Sequence, residues 1–245
     1  MKYKLVAFWL VVFGALFAFL QTSFEYHFYY IEQSQLFLFS KTYAMEKLVL
    51  PGGLSMLVAE FLVQFFILPY AGPAIVAALL TGVGICTAGI VKRIAPSSAF
   101  FLLYVLPVLA LLFMHFDFNY RVQGTVCYLM MTAVLYGYMR IRKDLFRLVA
   151  GCVLVPVLFW LAGSVALLFA GMVCLYELLR KTPEWYISLI EMAEVLLLGL
   201  GVVYFSLMGE YRWVFGPDLY YHNTLHPKSV IYYSWICMPL VVLVA

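Results

Sequence analysis

The sequence predicts an all-α fold, a bundle of transmembrane helices, and three observations carry this prediction. Hydrophobic residues make up 66% of the 245-residue chain, and charged residues make up only 11%. A soluble domain usually carries about 25% charged residues, so a water-exposed fold of this composition would leave much apolar surface in solvent. The apolar residues also form long windows separated by short polar or basic connections. The chain is therefore predicted to be a polytopic membrane protein.

Nine apolar windows are candidates for membrane segments. They are 5–21, 54–70, 73–91, 98–115, 122–139, 145–160, 163–179, 186–207 and 229–245. A perpendicular helix needs about 20 residues to cross a hydrocarbon core of about 30 Å, so the run 145–179 is too long for one span and is divided at "LAGS". No small-x-small cleavage site follows the first window, which favours an uncleaved span over a signal peptide.

Clusters of Lys and Arg predict the orientation of these spans. The clusters are Lys2 and Lys4, Lys92 and Arg93, Arg140, Arg142, Lys143 and Arg147, and Arg180 and Lys181. If the window 54–70 does not cross, all four clusters fall on one side, which the positive-inside rule assigns to the cytoplasm. If it crosses, the later clusters fall outside. The first alternative predicts about eight spans and a cytoplasmic N terminus.

The window 54–70 has the features of a helix that lies along the outer interface. It follows the Pro-Gly-Gly sequence at 51–53 and precedes "LPYAGP", which has two prolines. Glu60 and Gln64 share one helix face at i,i+4 spacing, which gives the helix a polar side. The alternative is an ordinary second span with two buried polar residues.

The predicted topology collects the polar segments on the outer face of one transmembrane domain, 1–245. Long outer segments are expected at 22–72 and 208–228, with a short loop at 115–121. All four histidines belong to this face. The last window ends at the chain terminus without a charged flank, so we expect the domain to be truncated there.

Several residues are candidates for chemistry. Glu32 and Asp117 are carboxylates near the outer interface, where a carboxylate can act as a base or hold a metal. His222 and His226 have i,i+4 spacing near Asp218, which is compatible with zinc but is more typical of interfacial histidines.

Glu191 and Glu194 lie in an apolar window, and intramembrane carboxylates raise the hypothesis of a transporter. The sequence shows no basic patch typical of nucleic-acid binding and no Gly-rich phosphate loop.

The order of these parts resembles the N-terminal half of polytopic glycosyltransferases of the C-type fold (GT-C), which use polyprenyl-phosphate-linked sugars. The resemblance rests on the first span, the Glu32-Gln33 pair in a long outer segment, and "LPGGLSMLVAEFLVQFF" as a membrane-hugging helix. It also rests on a span that ends in Lys92-Arg93 and on Asp117 in a second short loop. More narrowly, "IEQSQLFLF" with "PGGL" and "EFLVQFF" is similar to a family of uncharacterised Bacteroidetes membrane proteins.

The GT-C resemblance implies a sugar transferase on the extracytoplasmic face of a bacterial inner membrane. It implies that Glu32 is the catalytic carboxylate and that Asp117 is the second acidic residue. Both would hold Mg²⁺ or Mn²⁺, which prefers oxygen ligands. It further implies that Gln33, Arg121 and Arg212 contact the lipid-linked substrate and its phosphate. The alternative is a non-catalytic membrane scaffold, since the family's acidic pair usually begins with Asp and here reads Glu-Gln.

Overall fold

The computed structural model describes residues 2–94, 102–180, 186–204, 214–221 and 230–244. These residues form eleven α-helices and no β-strand. The helices are α1 (Lys2–Ser23), α2 (Glu25–Ser34), α3 (Lys41–Leu48), α4 (Gly53–Val63), α5 (Ala71–Ile94), α6 (Leu102–Met114), α7 (Val122–Tyr138), α8 (Asp144–Ala162), α9 (Val165–Leu179), α10 (Tyr186–Tyr204) and α11 (Val230–Val244). The all-α prediction is confirmed.

Three helices in the described part of the chain are long and apolar enough to cross a membrane, namely α1, α5 and α8. Shorter apolar helices are also present, and α6 is described over 13 residues where the sequence predicted the span 98–115. Three of the about eight predicted spans are thus matched by helices of sufficient length and apolar composition.

Helices α5 and α7 form the centre of the bundle. Helix α5 packs against α1, α6 and α7, while α7 also packs against α4, α8 and α9. Val83 on α5 and Met131 and Leu135 on α7 are fully buried. The outward faces are apolar too, with Leu10 of α1 65% exposed and Val153 of α8 54% exposed. Apolar residues on both the inside and the outside of a bundle indicate lipid as the surrounding solvent.

The ends of α1, α6 and α8 and the start of α7 lie at one end of the bundle, which we call the site end. The rings of Phe24, after α1, and Phe116, after α6, stack at 4.8 Å. The Tyr220 hydroxyl donates a hydrogen bond to the Ala162 carbonyl at the end of α8, and the Arg121 amide donates one to the Tyr220 carbonyl. The segment 214–221 therefore packs against the start of α7 and the end of α8.

Helix α4 lies across the site end rather than along the bundle. The Gly52 amide, just before α4, donates to the Trp160 carbonyl near the end of α8. After α4, the short 3₁₀ turn Gln64–Ile67 brings Phe66 against Phe28 of α2, with ring centroids 5.4 Å apart. Both ends of the segment thus lie at the site end, which is the geometry expected of a helix that does not cross.

Basic residues of the second and third clusters, Lys92, Arg93 and Arg140, lie together at the opposite end, which we call the basic end. Arg93 at the end of α5 donates from Nε to the Met139 carbonyl, which follows α7. Lys92 lies 5.8 Å from the ring centroid of Tyr104, near the start of α6. The end of α5, the end of α7 and the start of α6 therefore lie on one side, as expected for neighbouring helices that run in opposite directions.

Arg147 belongs to this basic region but is not a surface charge, because it is only 1% exposed. Its Nε donates to Oε1 of Glu177 at 2.5 Å, and its Nη2 donates to Oε2 of the same carboxylate at 3.0 Å and to Asp144 Oδ1 at 2.7 Å. Tyr138 donates to Glu177 as well. A bidentate pair of this kind joins the ends of α7, α8 and α9.

Candidate functional site

A cavity of about 260 Å³ opens at the site end, between α3, α4 and the start of α7. We call it the polar pocket. It is lined by Ser34, Gln35, Leu36, Tyr43, Lys47, Met56, Ala59, Glu60, Arg121 and Gln123. Seven of these ten side chains carry polar or charged groups, in a chain that is 66% hydrophobic. Polar groups that converge on a concave site can fix the orientation of a bound ligand.

Glu60 lies on one wall of the pocket and is 7% exposed. Its Oε2 accepts a hydrogen bond from the Tyr43 hydroxyl, and its Oε1 lies 3.7 Å from Lys47 Nζ. Tyr43 and Lys47 are one turn apart on α3, so both face the same carboxylate. Burial of the Tyr43 hydroxyl, and then its hydrogen bond to the Glu60 carboxylate, raise the pKa of Tyr43, which therefore remains a donor.

The contact between α3 and α4 depends on the glycines that precede α4. Gly52 has φ +79°, a left-handed conformation that favours glycine. A Cβ at Gly53 would lie 1.9 Å from the Lys47 carbonyl oxygen, so only glycine allows this approach. The Pro-Gly-Gly sequence is therefore what brings Lys47 to Glu60.

The opposite wall comes from the start of α7. Arg121 occupies the N-cap position of α7 and is partly buried. Gln123 is buried, and its Nε2 donates to the Gly52 carbonyl at 3.3 Å and to Ser55 Oγ at 3.2 Å. Burial lowers the pKa of Arg121, and the Glu60 carboxylate opposes that shift. Arg121 nevertheless stays charged, because its ordinary pKa lies far above neutral pH.

Three buried polar atoms, one on each of three residues that line the pocket, have no hydrogen-bond partner among the described residues. They are Gln35 Nε2, Arg121 Nε and Gln123 Oε1. Most buried polar groups in proteins are paired, so three unpaired ones around one cavity need an explanation. Two of them are donors and one is an acceptor. Together they fit a polar ligand that carries anionic oxygens and at least one hydroxyl.

An extended segment, 35–40, covers one side of the pocket. Gln64 Nε2 donates to the Phe37 carbonyl at 3.0 Å, and the Tyr43 hydroxyl also reaches the Leu36 carbonyl at 3.3 Å. Leu36 and Phe39 are 70% and 84% exposed. The segment 35–40 therefore exposes apolar side chains, and hydrogen bonds to its backbone carbonyls hold it against the polar pocket.

Among the residues predicted to form the site, Arg121 lines the polar pocket, whereas Glu32 and Gln33 do not. The two residues that follow them, Ser34 and Gln35, do line it. Glu32 is partly buried near the end of α2, and Gln33 is exposed. Arg212 lies outside the described residues, as do His222 and His226 of the predicted zinc motif.

Asp117 lies in the turn after α6, beside α2. Its Oδ1 accepts hydrogen bonds from the amide and the side chain of Asn119, at 3.0 and 3.2 Å. Phe118 packs on His27 and Tyr30 of α2, with ring centroids 4.5 and 5.6 Å apart. The structure thus brings the Asp117 turn against α2, although at residues N-terminal to Glu32. Burial lowers the pKa of His27, and Asp117 partly opposes this change.

The polar pocket does not fit a divalent cation. It holds one carboxylate, Glu60, with Lys47 and Arg121 on either side, and such cations repel a metal ion. No group of three His, Cys, Asp or Glu that would hold a metal occurs within the described ranges. The assignment of Glu32 and Asp117 as metal ligands stays a prediction.

Sequence reasoning identified two features of the polar pocket and missed the others. The GT-C resemblance implied a role for Arg121 as an arginine of an outer loop, and the polar helix face shared with Gln64 marked Glu60. The i,i+4 pair of Tyr43 and Lys47 was a usable signal, because an aromatic hydroxyl and a cation at that spacing share a face. Gln35 and Gln123 carry no local signal.

Comparison with known proteins gives a family and nothing finer. No curated protein and no solved structure matches the chain. The model of a family of unknown function (DUF6057) matches residues 1–245. The chain belongs to this DUF6057 family.

Proposed function

We propose that this protein binds the phosphorylated headgroup of a membrane-borne substrate in the polar pocket. We further propose that it transfers a sugar from polyprenyl phosphate to an acceptor hydroxyl. The observation that supports binding is the set of three unpaired buried polar atoms on Gln35, Arg121 and Gln123. The transferase chemistry is suggested by the GT-C resemblance and by the buried carboxylate beside two cations.

The two cations suit the phosphate of the substrate. Arg121 presents an unpaired Nε–H, and guanidinium groups bind phosphate oxygens with strong, directional hydrogen bonds. Lys47 adds a second positive charge on the facing wall. The exposed apolar side chains of Leu36 and Phe39 stand beside the pocket, where they would contact the hydrocarbon of a lipid whose headgroup lies inside.

Glu60 is the proposed general base. The acceptor hydroxyl oxygen attacks the anomeric carbon of the sugar, and the bond from that carbon to the phosphate oxygen breaks. The hydroxyl proton passes to the Glu60 carboxylate, and the bonding electron pair leaves with polyprenyl phosphate. Lys47 and Arg121 stabilise the charge that grows on the departing phosphate. The products are the glycosylated acceptor and polyprenyl phosphate.

The proposed orientation puts the basic end in the cytoplasm and the site end on the extracytoplasmic face. Lys92, Arg93, Arg140 and Arg142 all belong to the basic end, which agrees with the positive-inside rule. Helix α1 then starts in the cytoplasm, and α4 hugs the outer interface. Eight crossings of a bacterial inner membrane complete this proposal.

The experiment is a transfer assay in proteoliposomes. Labelled undecaprenyl-phosphate glucose serves as the donor probe, and a membrane glycan fraction serves as the acceptor. We expect label in a product that lacks the prenyl chain, and we expect Arg121→Gln to reduce that product at least tenfold, because one charged hydrogen bond is lost. Arg142→Gln, the same charge change at the basic end, is the matched control. Equal product from wild type and Arg121→Gln would contradict the proposal.

The same assay tests the sequence-based assignment of Glu32 and Asp117. If these carboxylates are catalytic, Glu32→Gln and Asp117→Asn each abolish transfer, while Glu60→Gln leaves it intact. If Glu60 is the general base, Glu60→Gln instead abolishes transfer, while Glu32→Gln and Asp117→Asn leave it intact.

A second candidate is a non-catalytic membrane scaffold, which one observation favours. Glu60 already accepts a hydrogen bond from Tyr43 and pairs with Lys47, so the carboxylate has a structural role without any substrate. A scaffold predicts that Glu60→Gln changes stability alone. It also predicts that wild-type protein retains no polyprenyl phosphate through purification.

A further inference from the structure

A long apolar groove lies on the membrane-facing side of the bundle, between α1 and α5. Its volume is about 800 Å³, and it shares no lining residue with the polar pocket. Leu5, Trp9 and Phe13 of α1 line one wall, and Ala78, Ile85 and Lys92 of α5 line the other. Both walls are helices long and apolar enough to span a membrane. We call this feature the α1–α5 groove.

The groove has the length of one lipid chain in one leaflet. Its α5 wall extends from Ala78 to Lys92, which at about 1.5 Å per residue is about 21 Å. Half of a hydrocarbon core of about 30 Å is about 15 Å, so a fully extended acyl chain fits along this wall. Small residues make the floor, since Gly82, Cys86 and Gly89 line it as well.

The mouth of the groove is positively charged. Lys92 lines it and is exposed, and Tyr136 of α7 lines it with the guanidinium of Arg140 stacked 4.9 Å from its ring centroid. Lys4 precedes the groove residue Leu5 on α1 and is exposed too. No carboxylate lines the groove. All three cations therefore face an occupant whose polar end is anionic.

We propose that the α1–α5 groove binds an anionic glycerophospholipid from the leaflet at the basic end. One acyl chain lies along α5, and the phosphate lies between Lys92 and Arg140. Basic pockets between transmembrane helices are known to hold anionic lipid headgroups. A second copy of the chain is a poor occupant, because a two-fold axis along the membrane normal would face each basic mouth with an identical one.

The test is native mass spectrometry of protein released from micelles that contain equal amounts of phosphatidylglycerol and phosphatidylcholine. Each Lys or Arg near the membrane surface strengthens binding about fivefold, so Lys92→Gln with Arg140→Gln should lower phosphatidylglycerol retention about 25-fold. Lys143→Gln with Arg142→Gln is the matched control. It removes the same charge at the same end, and Lys143 also lies over a ring, that of Phe146.

A second pair of variants tests the apolar part. Ile85→Trp fills the groove, whereas Ile236→Trp adds the same bulk at a residue of α11 that does not line it, and both isoleucines are 50% exposed. We expect Ile85→Trp alone to lose the lipid. The proposal is overturned by equal retention in all variants, by equal retention of the two lipids in wild type, or by a wild-type dimer that Ile85→Trp dissociates.

Discussion

Replacing Glu60 by Gln separates a general base from a structural carboxylate. The substitution keeps the shape of the side chain and its hydrogen bond from Tyr43, because an amide oxygen also accepts. It removes one negative charge that lies 3.7 Å from Lys47. The expected outcome has three parts, a small loss of stability, tighter phosphate binding and a large loss of transfer.

The magnitudes follow from the geometry. Two unit charges about 4 Å apart attract by about 4 kcal/mol at an effective dielectric constant of about 20. Lys47 is 25% exposed and regains hydration when the carboxylate is lost, so we expect a net loss of about 1–2 kcal/mol of unfolding free energy. Phosphate binding should tighten about tenfold, because the variant has no carboxylate to compete for Lys47 or to repel the anion. Loss of a general base should lower transfer by about 10²–10⁴.

The assay measures thermal unfolding, undecaprenyl phosphate binding and sugar transfer on the same Glu60→Gln preparation. Glu46→Gln is the matched control, because it makes the same change at an exposed residue of α3. Folded Glu60→Gln that transfers sugar at the wild-type rate would refute the assignment of Glu60 as base. Weaker phosphate binding in that variant would refute the electrostatic reasoning.

Two further predictions concern the framework of the site. Glu177→Leu should lower the unfolding free energy by about 3 kcal/mol, because it leaves the buried Arg147 guanidinium with Asp144 as its remaining ionic partner. Thermal unfolding in micelles measures this loss. A shift no larger than that of Asp144→Asn, a change at an exposed residue, would contradict the prediction. Gly53→Ala should separate α3 from α4, because its Cβ overlaps the Lys47 carbonyl oxygen; we expect a folded protein with phosphate binding reduced at least tenfold, and unchanged binding would show that Lys47 does not contact the phosphate.

Helices that bury or expose long apolar faces could be predicted from the sequence, and contacts between distant segments could not. Hydropathy located α1, α5 and α8 within a few residues, because a span needs a long apolar run. The charge pattern grouped Arg147 with the basic connection, yet the structure buries it against Glu177, 30 residues away. Charge counting cannot detect such a partner, since the two lie on different windows.

The candidate site shows the same division. The loop position of Arg121 and the polar face of Glu60 are local features, and the sequence displayed both. The polar pocket also needs Tyr43, Lys47 and Gln35 from the segment 22–72, whose path depends on the close approach at Gly53. That approach is a tertiary contact, which no local periodicity predicts. The sequence therefore favoured Glu32, although Ser34, Gln35 and Leu36 on the same stretch are the residues that line the pocket.

Equilibrium binding of undecaprenyl phosphate to wild type and Arg121→Gln tests the central claim most directly. Because the charged guanidinium of Arg121 lines the polar pocket and its Nε–H is unpaired, the wild type should bind at least tenfold more tightly than this variant. Arg142→Gln at the basic end should bind as the wild type does. Equal affinity of Arg121→Gln and wild type would contradict the account, because the phosphate would then lie elsewhere.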